Sequence, residues 1–249
     1  MFNNVCLQSD SAVEKKLAIR QLTVKNDASH SWFIQVKHIL WKYELGDPLT
    51  HLADPLSSTK WKKNVHTAVD NYWKADILDM CQYYKTISNM NTSLFKPGKP
   101  HPILCVPVKS ARDAARYPVQ LKLITGTYVL QSNRSAFNKS EVDPTCKLCE
   151  QSDETLEHFI LQCPELSGRR DPILNDINCE LVSLGQPVLE AMLPCDRIKL
   201  LIDPTHIVTW NNLKFKDVKK LEDLEFQCKR LLYFLHNDRY SILKKWSMK

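Results

Sequence analysis

Pro-Thr-Cys-Lys-Leu-Cys-Glu-Gln-Ser-Asp-Glu-Thr-Leu-Glu-His-Phe-Ile-Leu-Gln-Cys-Pro, residues 144–164, is the most specific stretch of the chain. Its metal-binding side chains form a C-x2-C-x8-H-x4-C array of Cys146, Cys149, His158 and Cys163. Three thiolates and one imidazole suit tetrahedral zinc. Because the protein fills all four positions, the array predicts one structural zinc and not a catalytic zinc, which keeps a position open for water.

Two other interpretations of the array stay open. The four residues can be reduced core cysteines accompanied by a surface histidine. The pair Cys146 and Cys149 can also be a redox dithiol, although no βαβ pattern surrounds it.

The residues around the array predict its local structure. Cys146 and Cys149 close a tight turn whose backbone N–H groups point at the first thiolate. Ser152 or Asp153 is expected to cap the helix that follows, because a side-chain oxygen at that position accepts from a free N–H group. Acidic side chains in the first turn of a helix interact favourably with the helix dipole. Here they are Asp153, Glu154 and Glu157.

The end of the ligand helix is predicted to be irregular. His158 and Cys163 are five residues apart, which exceeds one helical turn, so the last turn must loosen for both to reach one ion. Pro164 then ends the helix. Metal binding to such a module supplies on the order of 10 kcal/mol toward its folding.

Composition favours a helical protein of the cell interior. The chain has 249 residues, 43% of them hydrophobic and only 5 of them glycine, which fits helices better than a sandwich with many tight turns. We find no signal peptide and no apolar run of about 18 residues, so we expect no membrane span and a location in the nucleus, the cytoplasm or both. In that reducing setting cysteines are thiols or metal ligands. Outside the array we expect small buried cysteines, namely Cys6, Cys81, Cys105, Cys179, Cys195 and Cys228.

Charge is distributed unevenly along the chain. The formal net charge is +6, but residues 146–165 contain five acidic residues and a single lysine. The array is therefore the acidic part of a basic chain. The basic excess fits nucleic acid as a partner without identifying it.

Apolar periodicity predicts a mostly α fold, with helical bundles around a small CCHC zinc-knuckle-like module. The predicted helices span residues 10–26, 29–45, 58–90, 111–117 (ended by Pro118), 119–138 (broken at Gly126), 172–184, 187–202 and 216–247.

Prolines and polar clusters predict the interruptions. Residues 47–58 and 91–108 are expected to be linkers. We also expect a bend near residues 73–76 and a break near residues 236–238.

We divide the chain into three regions on this basis. Residues 1–95 form a helical connector region, residues 96–170 the zinc-binding module with its preceding helices, and residues 171–249 a C-terminal helical region.

Three stretches of the chain resemble a known module. They are the segment from Leu123 to Arg134 (LITGTYVLQSNR), the cysteine pair after Pro144, and the motif Glu154-Thr-x-Glu-His-Phe-x-Leu-x-Cys-Pro. They are similar to the zinc-binding segment at the C-terminal end of reverse transcriptases encoded by non-LTR (LINE-type) retrotransposons. The close likeness covers about residues 118–170, and the helix from Trp61 to Tyr84 is similar in character to the connector that precedes this segment in the family.

The resemblance implies zinc ligation by the four array residues. It also implies a module that holds element RNA or target DNA during target-primed reverse transcription. An upstream reverse transcriptase region is a further expected partner if the chain is part of a longer protein.

The chain departs from the family in its catalytic motifs. It has no Tyr-x-Asp-Asp motif, no Asp-x-Asp pair and no set of carboxylates from which a nuclease can be assembled. We therefore expect no enzymatic activity, and a C-terminal fragment or a degenerate or repurposed copy.

Two functional hypotheses follow. In the first, the chain is a zinc-stabilised module that binds RNA or DNA through basic side chains around the array, each of which is also an ordinary solvated charge. In the second, zinc staples a protein-interaction or structural module with no nucleic-acid role, as the acidity of the array favours. The candidate phosphate contacts are Lys60, Lys62, Lys63, Arg112, Arg116, Arg134, Lys139, Arg169 and Arg170.

Overall fold

The computed structural model describes residues 1–138, 141–210 and 218–247. In these ranges the chain forms twelve α-helices and no β-strand, which confirms the predicted mostly α class. The helices are α1 (Phe2–Cys6), α2 (Val13–Val24), α3 (Trp32–Lys42), α4 (Pro48–Ala53), α5 (Ser58–Tyr83), α6 (Ala111–Ala114), α7 (Tyr117–Ile124), α8 (Gln131–Phe137), α9 (Ser167–Ser183), α10 (Pro194–Ile202), α11 (His206–Trp210) and α12 (Val218–Ser247).

Shorter helical turns connect these elements. Residues His158–Gln162 form a π-helical turn, and the remaining connections contain 3₁₀ turns at Lys85–Ile87, Thr92–Leu94, Pro102–Cys105, Pro164–Leu166 and Leu189–Ala191. The chain divides into two compact units, Met1–Ile77 and Leu78–Lys249. The finer division into three regions stays a prediction.

The first unit is a small helical bundle in which α1 to α4 pack on one another. Its buried apolar side chains are Phe2, Cys6, Ala18, Leu22, Ile34, Val36, Leu40 and Leu52. The prediction of a linker at residues 47–58 is wrong, because this stretch contains α4. Asp47 caps that helix by accepting from the Leu49 N–H group (2.7 Å), and Pro48 occupies the first helical position, where a missing N–H costs nothing.

Helix α5 differs from its neighbours because it has no fully buried side chain in its 26 residues. Trp61, near its start, is half-buried against Phe2 and His51, with ring centroids 6.2 and 5.0 Å away. The helix ends at Tyr83 and runs unbroken through residues 73–76, so the predicted bend there is wrong.

The second unit is built around α12, which packs against α7, α9 and α10. Its apolar stripe is fully buried from Leu224 to Leu235. The predicted break near residues 236–238 is wrong, since α12 continues to Ser247. Tertiary contacts hold the polar side chains there, as the hydrogen bond between His236 Nδ1 and the Tyr128 hydroxyl (3.0 Å) illustrates.

Pro118 has the opposite effect from the one predicted. It lies in the first turn of α7 and starts that helix instead of ending the previous one. A proline is tolerated there because the N–H groups of the first turn have no partner within the helix.

A cluster of four buried charges joins α6 and Arg116, the residue before α7, to α12. The Lys229 side chain is fully buried, with Nζ 3.2 Å from Asp113 Oδ1 and 3.0 Å from Glu225 Oε2. Arg116 Nη1 lies 3.6 Å from Asp113 Oδ1. Burial raises the pKa of Glu225, and the Lys229 charge opposes that rise. Two cations and two carboxylates thus compensate one another inside the core.

The cysteines outside the array are not all buried as predicted. Cys6 and Cys228 are buried and Cys81 is half-buried, but the others are exposed, namely Cys105, Cys179 and Cys195. Small apolar side chains of this kind are also tolerated at the surface. Among the described residues, no helix combines the length and the apolar character needed to cross a bilayer.

Candidate metal centre

A short hairpin-like turn positions the first two ligands. Thr145 pairs with Asp153 across the turn, and the Cys146 N–H group donates to the Ser152 carbonyl (2.8 Å). The Glu150 N–H group donates back to the Cys146 carbonyl (2.8 Å), with Glu150 in the left-handed region at φ 57°. The turn therefore closes tightly around the Cys-x-x-Cys pair, as predicted.

The ligand helix begins at a different cap from the one predicted. Thr155 Oγ1 accepts from the His158 N–H group (3.1 Å), which makes Thr155 the capping residue in place of Ser152 or Asp153. Ser152 instead lies beside the imidazole, with Oγ 2.9 Å from His158 Nδ1. Because Thr145 pairs with Asp153, both predicted caps belong to the hairpin turn.

The end of the ligand helix confirms the expected loosening. The Cys163 N–H group donates to the His158 carbonyl (2.8 Å), an i to i+5 bond that defines the π-helical turn. The extra residue in this turn brings the Cys163 sulfur back to the side of His158. Pro164 then starts a 3₁₀ turn.

The four side chains of the array converge on one point. One ligand atom from each residue lies within 4.8 Å of the others. Cys146 Sγ and Cys163 Sγ are 4.0 Å apart, and Cys149 Sγ is 3.3 Å from His158 Nε2. Zn–S and Zn–N bonds of about 2.3 and 2.0–2.1 Å give tetrahedral edges of about 3.5–3.8 Å, so these separations fit such an ion. The group can hold a metal ion, and its donor set is compatible with zinc.

Two neighbouring groups orient the ligands. With Nε2 facing the sulfur of Cys149, the other ring nitrogen of His158 can carry the hydrogen and donate it to Ser152 Oγ. Arg170 Nη1 donates to the Cys163 carbonyl (2.8 Å) and fixes the backbone of the last ligand. Such outer contacts keep a ligand in its binding conformation before the metal arrives.

The pKa values of the facing thiols Cys146 and Cys163 shift in opposite directions. The pKa of Cys146 is lowered to about 5, first because the Cys163 thiol donates to it and then because the Cys149 and Leu148 N–H groups point at it. The same contact raises the pKa of Cys163. The N–H groups in the turn are those that the sequence predicted, and a thiolate is the form that binds metal.

A buried ion pair joins the centre to α12. Arg239 Nε and Nη2 donate to the two oxygens of Glu154 at 2.7 and 2.8 Å, and the Gln131 N–H group donates to Glu154 Oε2 at 2.8 Å. The Glu154 side chain is almost fully buried. The prediction that Glu154 lies in the first turn of the ligand helix is wrong, because the residue precedes the Thr155 cap. Glu154 links the hairpin to α8 and α12.

Apolar packing continues from the centre into the core. Phe159 and Ile160, on the ligand helix, are fully buried. The Tyr128 ring stacks on Phe159 with centroids 5.3 Å apart and planes 21° apart. The candidate metal centre is thus an integral part of the core of the second unit.

The structure separates the candidate phosphate contacts into three groups. Arg116 and Arg170 are buried and engaged with protein groups, so they are unsuited to binding a phosphate. Lys139 lies outside the described residues. The exposed candidates are Lys60, Lys62 and Lys63 of the first unit and Arg112, Arg134 and Arg169 of the second.

Sequence reasoning missed Arg239 as a partner of the centre. The residue follows Cys228, Leu232 and Leu235 at helical spacing. A charged side chain therefore occupies the next position on the apolar face of the helix. A charge at such a position indicates a buried partner. Its partner, Glu154, is 85 residues away in sequence, and periodicity alone cannot identify it.

Comparisons with known proteins add no relative. No protein-family model matches the chain, and neither a curated protein nor a solved structure is similar to it.

Proposed function

We propose that the chain is a zinc-stabilised nucleic-acid-binding module derived from a non-LTR retrotransposon reverse transcriptase, without polymerase or nuclease activity. The observation that carries the zinc part is the convergence of three thiols and one imidazole within 4.8 Å. All four positions are supplied by the protein, so the ion has a structural role.

Zinc in this centre would act as a cross-link within the second unit. Cys146 and Cys149 belong to the hairpin, while His158 and Cys163 belong to the ligand helix. The bound ion would have all four coordination positions occupied by protein ligands. Its effect would therefore be to hold the hairpin and the ligand helix together. Ser152 and Arg170 hold the ligands in place.

Nucleic-acid binding is supported by the resemblance in residues 118–170 and by exposed basic side chains. Arg134 is exposed on α8, which precedes the centre in the chain, and Arg169 is exposed on α9, which follows it. Arg169 also forms an exposed ion pair with Asp238 (3.3 Å), so Arg134 is the better candidate. Neutralising a phosphate releases a counterion, which makes such binding salt-dependent.

A binding titration tests this function. The purified chain is titrated against fluorescent 20-nucleotide RNA, single-stranded DNA and duplex DNA at several salt concentrations. We expect micromolar or tighter binding that weakens with salt, and Arg134→Ala should reduce the salt slope by about one. Arg20→Ala removes an exposed arginine of the first unit that is not a candidate contact and serves as the control. Absence of salt-sensitive binding at micromolar protein would refute the nucleic-acid role.

The alternative is a zinc-stapled protein-interaction module, and one feature of the first unit favours it. Trp32, Ile39 and Trp41 of α3 are all more than a third exposed. Exposed aromatic side chains of this kind are enriched in protein interfaces. Salt-independent self-association or capture of a defined protein, with no binding to RNA or DNA, would favour this alternative.

A further inference from the structure

A cavity of about 340 Å³ lies beside the metal centre in the second unit. Four parts of the chain form it: the segment after α5, the end of α7 with its following turn, the start of α8 and the ligand helix. Its lining residues are Thr86, Ser88, Asn89, Leu123, Gly126, Tyr128, Leu130, Asn133 and Leu156. The volume is at the small end of the range for ligand sites.

The cavity has an apolar floor and a polar rim. Leu123, Tyr128 and Leu130 are buried, whereas Ser88 and Asn133 are exposed. Among the described residues, none of those that line the cavity has a charged side chain. The group that fits such a site is flat or compact, uncharged, and able to form hydrogen bonds along one edge.

The rim is held in place before any ligand arrives. Gly126 has a φ of 63°, and a Cβ at this position would lie 2.5 Å from the Thr86 carbonyl oxygen, so the rim segment and the α7 turn touch through their backbones. The Asn89 carbonyl is bonded to His206 Nε2 (3.0 Å), and the Asn91 N–H group donates to the buried Asp203 (2.7 Å). A site that is already ordered loses less entropy on binding.

Two carboxamides on the rim retain hydrogen-bonding capacity. Asn133 Oδ1 accepts from Ser132 Oγ (3.3 Å), and within the described part of the chain its amide nitrogen has no hydrogen-bond acceptor. The Asn89 side chain likewise has no hydrogen-bond partner in that part. A carboxamide offers one donor edge and one acceptor edge, which is the pattern that matches the edge of a nucleobase.

Beside the lining residues of α7, α8 and the ligand helix, the sequence places two cations and one carboxylate. Lys122 and Arg134 are exposed and adjoin the lining residues Leu123 and Asn133 in sequence. Glu157 adjoins Leu156, but its carboxylate accepts from Gln162 Nε2 (2.9 Å). A ligand with a neutral planar part inside and an anionic part outside is therefore favoured.

We propose that this cavity accepts one unpaired nucleobase of a single-stranded nucleic acid, while Lys122 and Arg134 meet the adjoining phosphates. The inference rests on the proposed nucleic-acid function and deepens it. Proteins read single strands by taking splayed-out bases into pockets of this kind. A duplex keeps its bases stacked and cannot enter.

Two isosteric variants of α8 and its cap test the inference. Asn133→Asp places a negative charge on the cavity rim, and Asn138→Asp adds the same charge five residues away at an exposed position outside the lining. With a fluorescent 15-nucleotide mixed-sequence RNA strand, we expect Asn133→Asp to weaken binding at least tenfold more than Asn138→Asp. In the matched duplex RNA the two variants should behave alike.

Photo-crosslinking gives a second readout that does not depend on a variant. The same strand carrying 4-thiouridine should form adducts with residues 86–89, 123–133 or 156 of the wild-type chain. Base binding in the cavity would be refuted if both variants weakened single-strand binding equally, or if adducts formed only at other residues. Either result would leave nucleic-acid binding itself intact. Failure of the wild-type chain to bind any strand would instead remove the proposed function together with this inference.

Discussion

In the first unit, Met1–Ile77, folding depends on a small apolar core, and the buried polar side chains are Asn3 and Lys15. In the second unit, Leu78–Lys249, a larger apolar core encloses the metal centre, the ion pair of Glu154 with Arg239 and the charged cluster around Lys229. Buried ions gain little net stability because desolvation offsets their attraction, but removing one partner is costly.

Because of this difference, we expect different kinds of substitution to destabilise the two units. Substituting an apolar core residue of the first unit should damage that unit alone. Removing a metal ligand, or a charge of the Lys229 cluster or of the Glu154–Arg239 pair, should damage the second unit alone. The predictions below test this separation, from the largest expected effect to the smallest.

Cys163→Ser should unfold the second unit. Loss of one ligand removes metal-coupled folding energy of on the order of 10 kcal/mol, which is comparable to the whole stability of a domain. Hydrogen exchange should show lost protection in α7, α9 and α12 and unchanged protection in α2 and α3. Cys179→Ser, at an exposed position of α9, is the control. Full protection of α12 in the Cys163→Ser protein would contradict a metal-dependent unit.

Lys229→Met should destabilise the second unit by about 3–5 kcal/mol, because Asp113 and Glu225 are left buried without this cation. The exposed Lys245→Met on the same helix should change the free energy of unfolding by no more than about 0.5 kcal/mol. Denaturant unfolding measures both. A small effect of Lys229→Met would mean that the cluster is not a closed ionic network.

The penalty of Lys229→Met should depend on pH. Burial raises the folded-state pKa of Glu225 above its unfolded value, and without Lys229 it rises further. Such a carboxyl is protonated more readily in the folded state, so its protonation stabilises the fold and the destabilisation grows as pH rises. The difference between variant and wild type should be larger at pH 8 than at pH 5. Equal differences at both values would contradict the pKa assignment.

Leu40→Ala should destabilise the first unit by about 2–5 kcal/mol, because it leaves a cavity in a small core. Ile39→Ala, at the exposed neighbouring position, is the matched control. Hydrogen exchange should show loss of protection in α2 to α4 with no change in the metal content of the chain. Release of metal by Leu40→Ala would show that the two units are not independent.

Ser152→Ala should weaken metal binding without abolishing it. The hydroxyl orients the His158 ring through Nδ1, and loss of such an outer partner lowers affinity by about 10–100-fold. Competition with a chromogenic chelator measures the change, and Ser183→Ala on the exposed end of α9 is the control. An unchanged affinity would assign Ser152 a role in the turn only.

The sequence was sufficient for features that are local. The ligands of the array are close in sequence, so spacing alone predicted their convergence and the loosened turn before Cys163. Helical periodicity likewise located most of the helices, including the long α12.

Features that depend on distant contacts were beyond sequence reasoning. The pair of Glu154 with Arg239 joins residues far apart in the chain. The hydrogen bond of His236 with Tyr128 is also distant in sequence, and it lies where the polar residues of α12 suggested a break.

Arg116 and Arg170 are candidate phosphate contacts in the sequence, a role that requires exposure. In the folded chain both are buried by tertiary contacts. Local patterns do not specify which charges find a buried partner.

X-ray absorption at the zinc edge tests the central claim most directly. For the purified chain we predict one zinc per molecule, with three sulfur neighbours at about 2.3 Å and one nitrogen at about 2.0–2.1 Å. Cys179→Ser should leave this spectrum unchanged, and Cys149→Ser should remove one sulfur or the ion itself. A chain that folds fully without stoichiometric metal, or a zinc surrounded only by nitrogen and oxygen, would contradict the account.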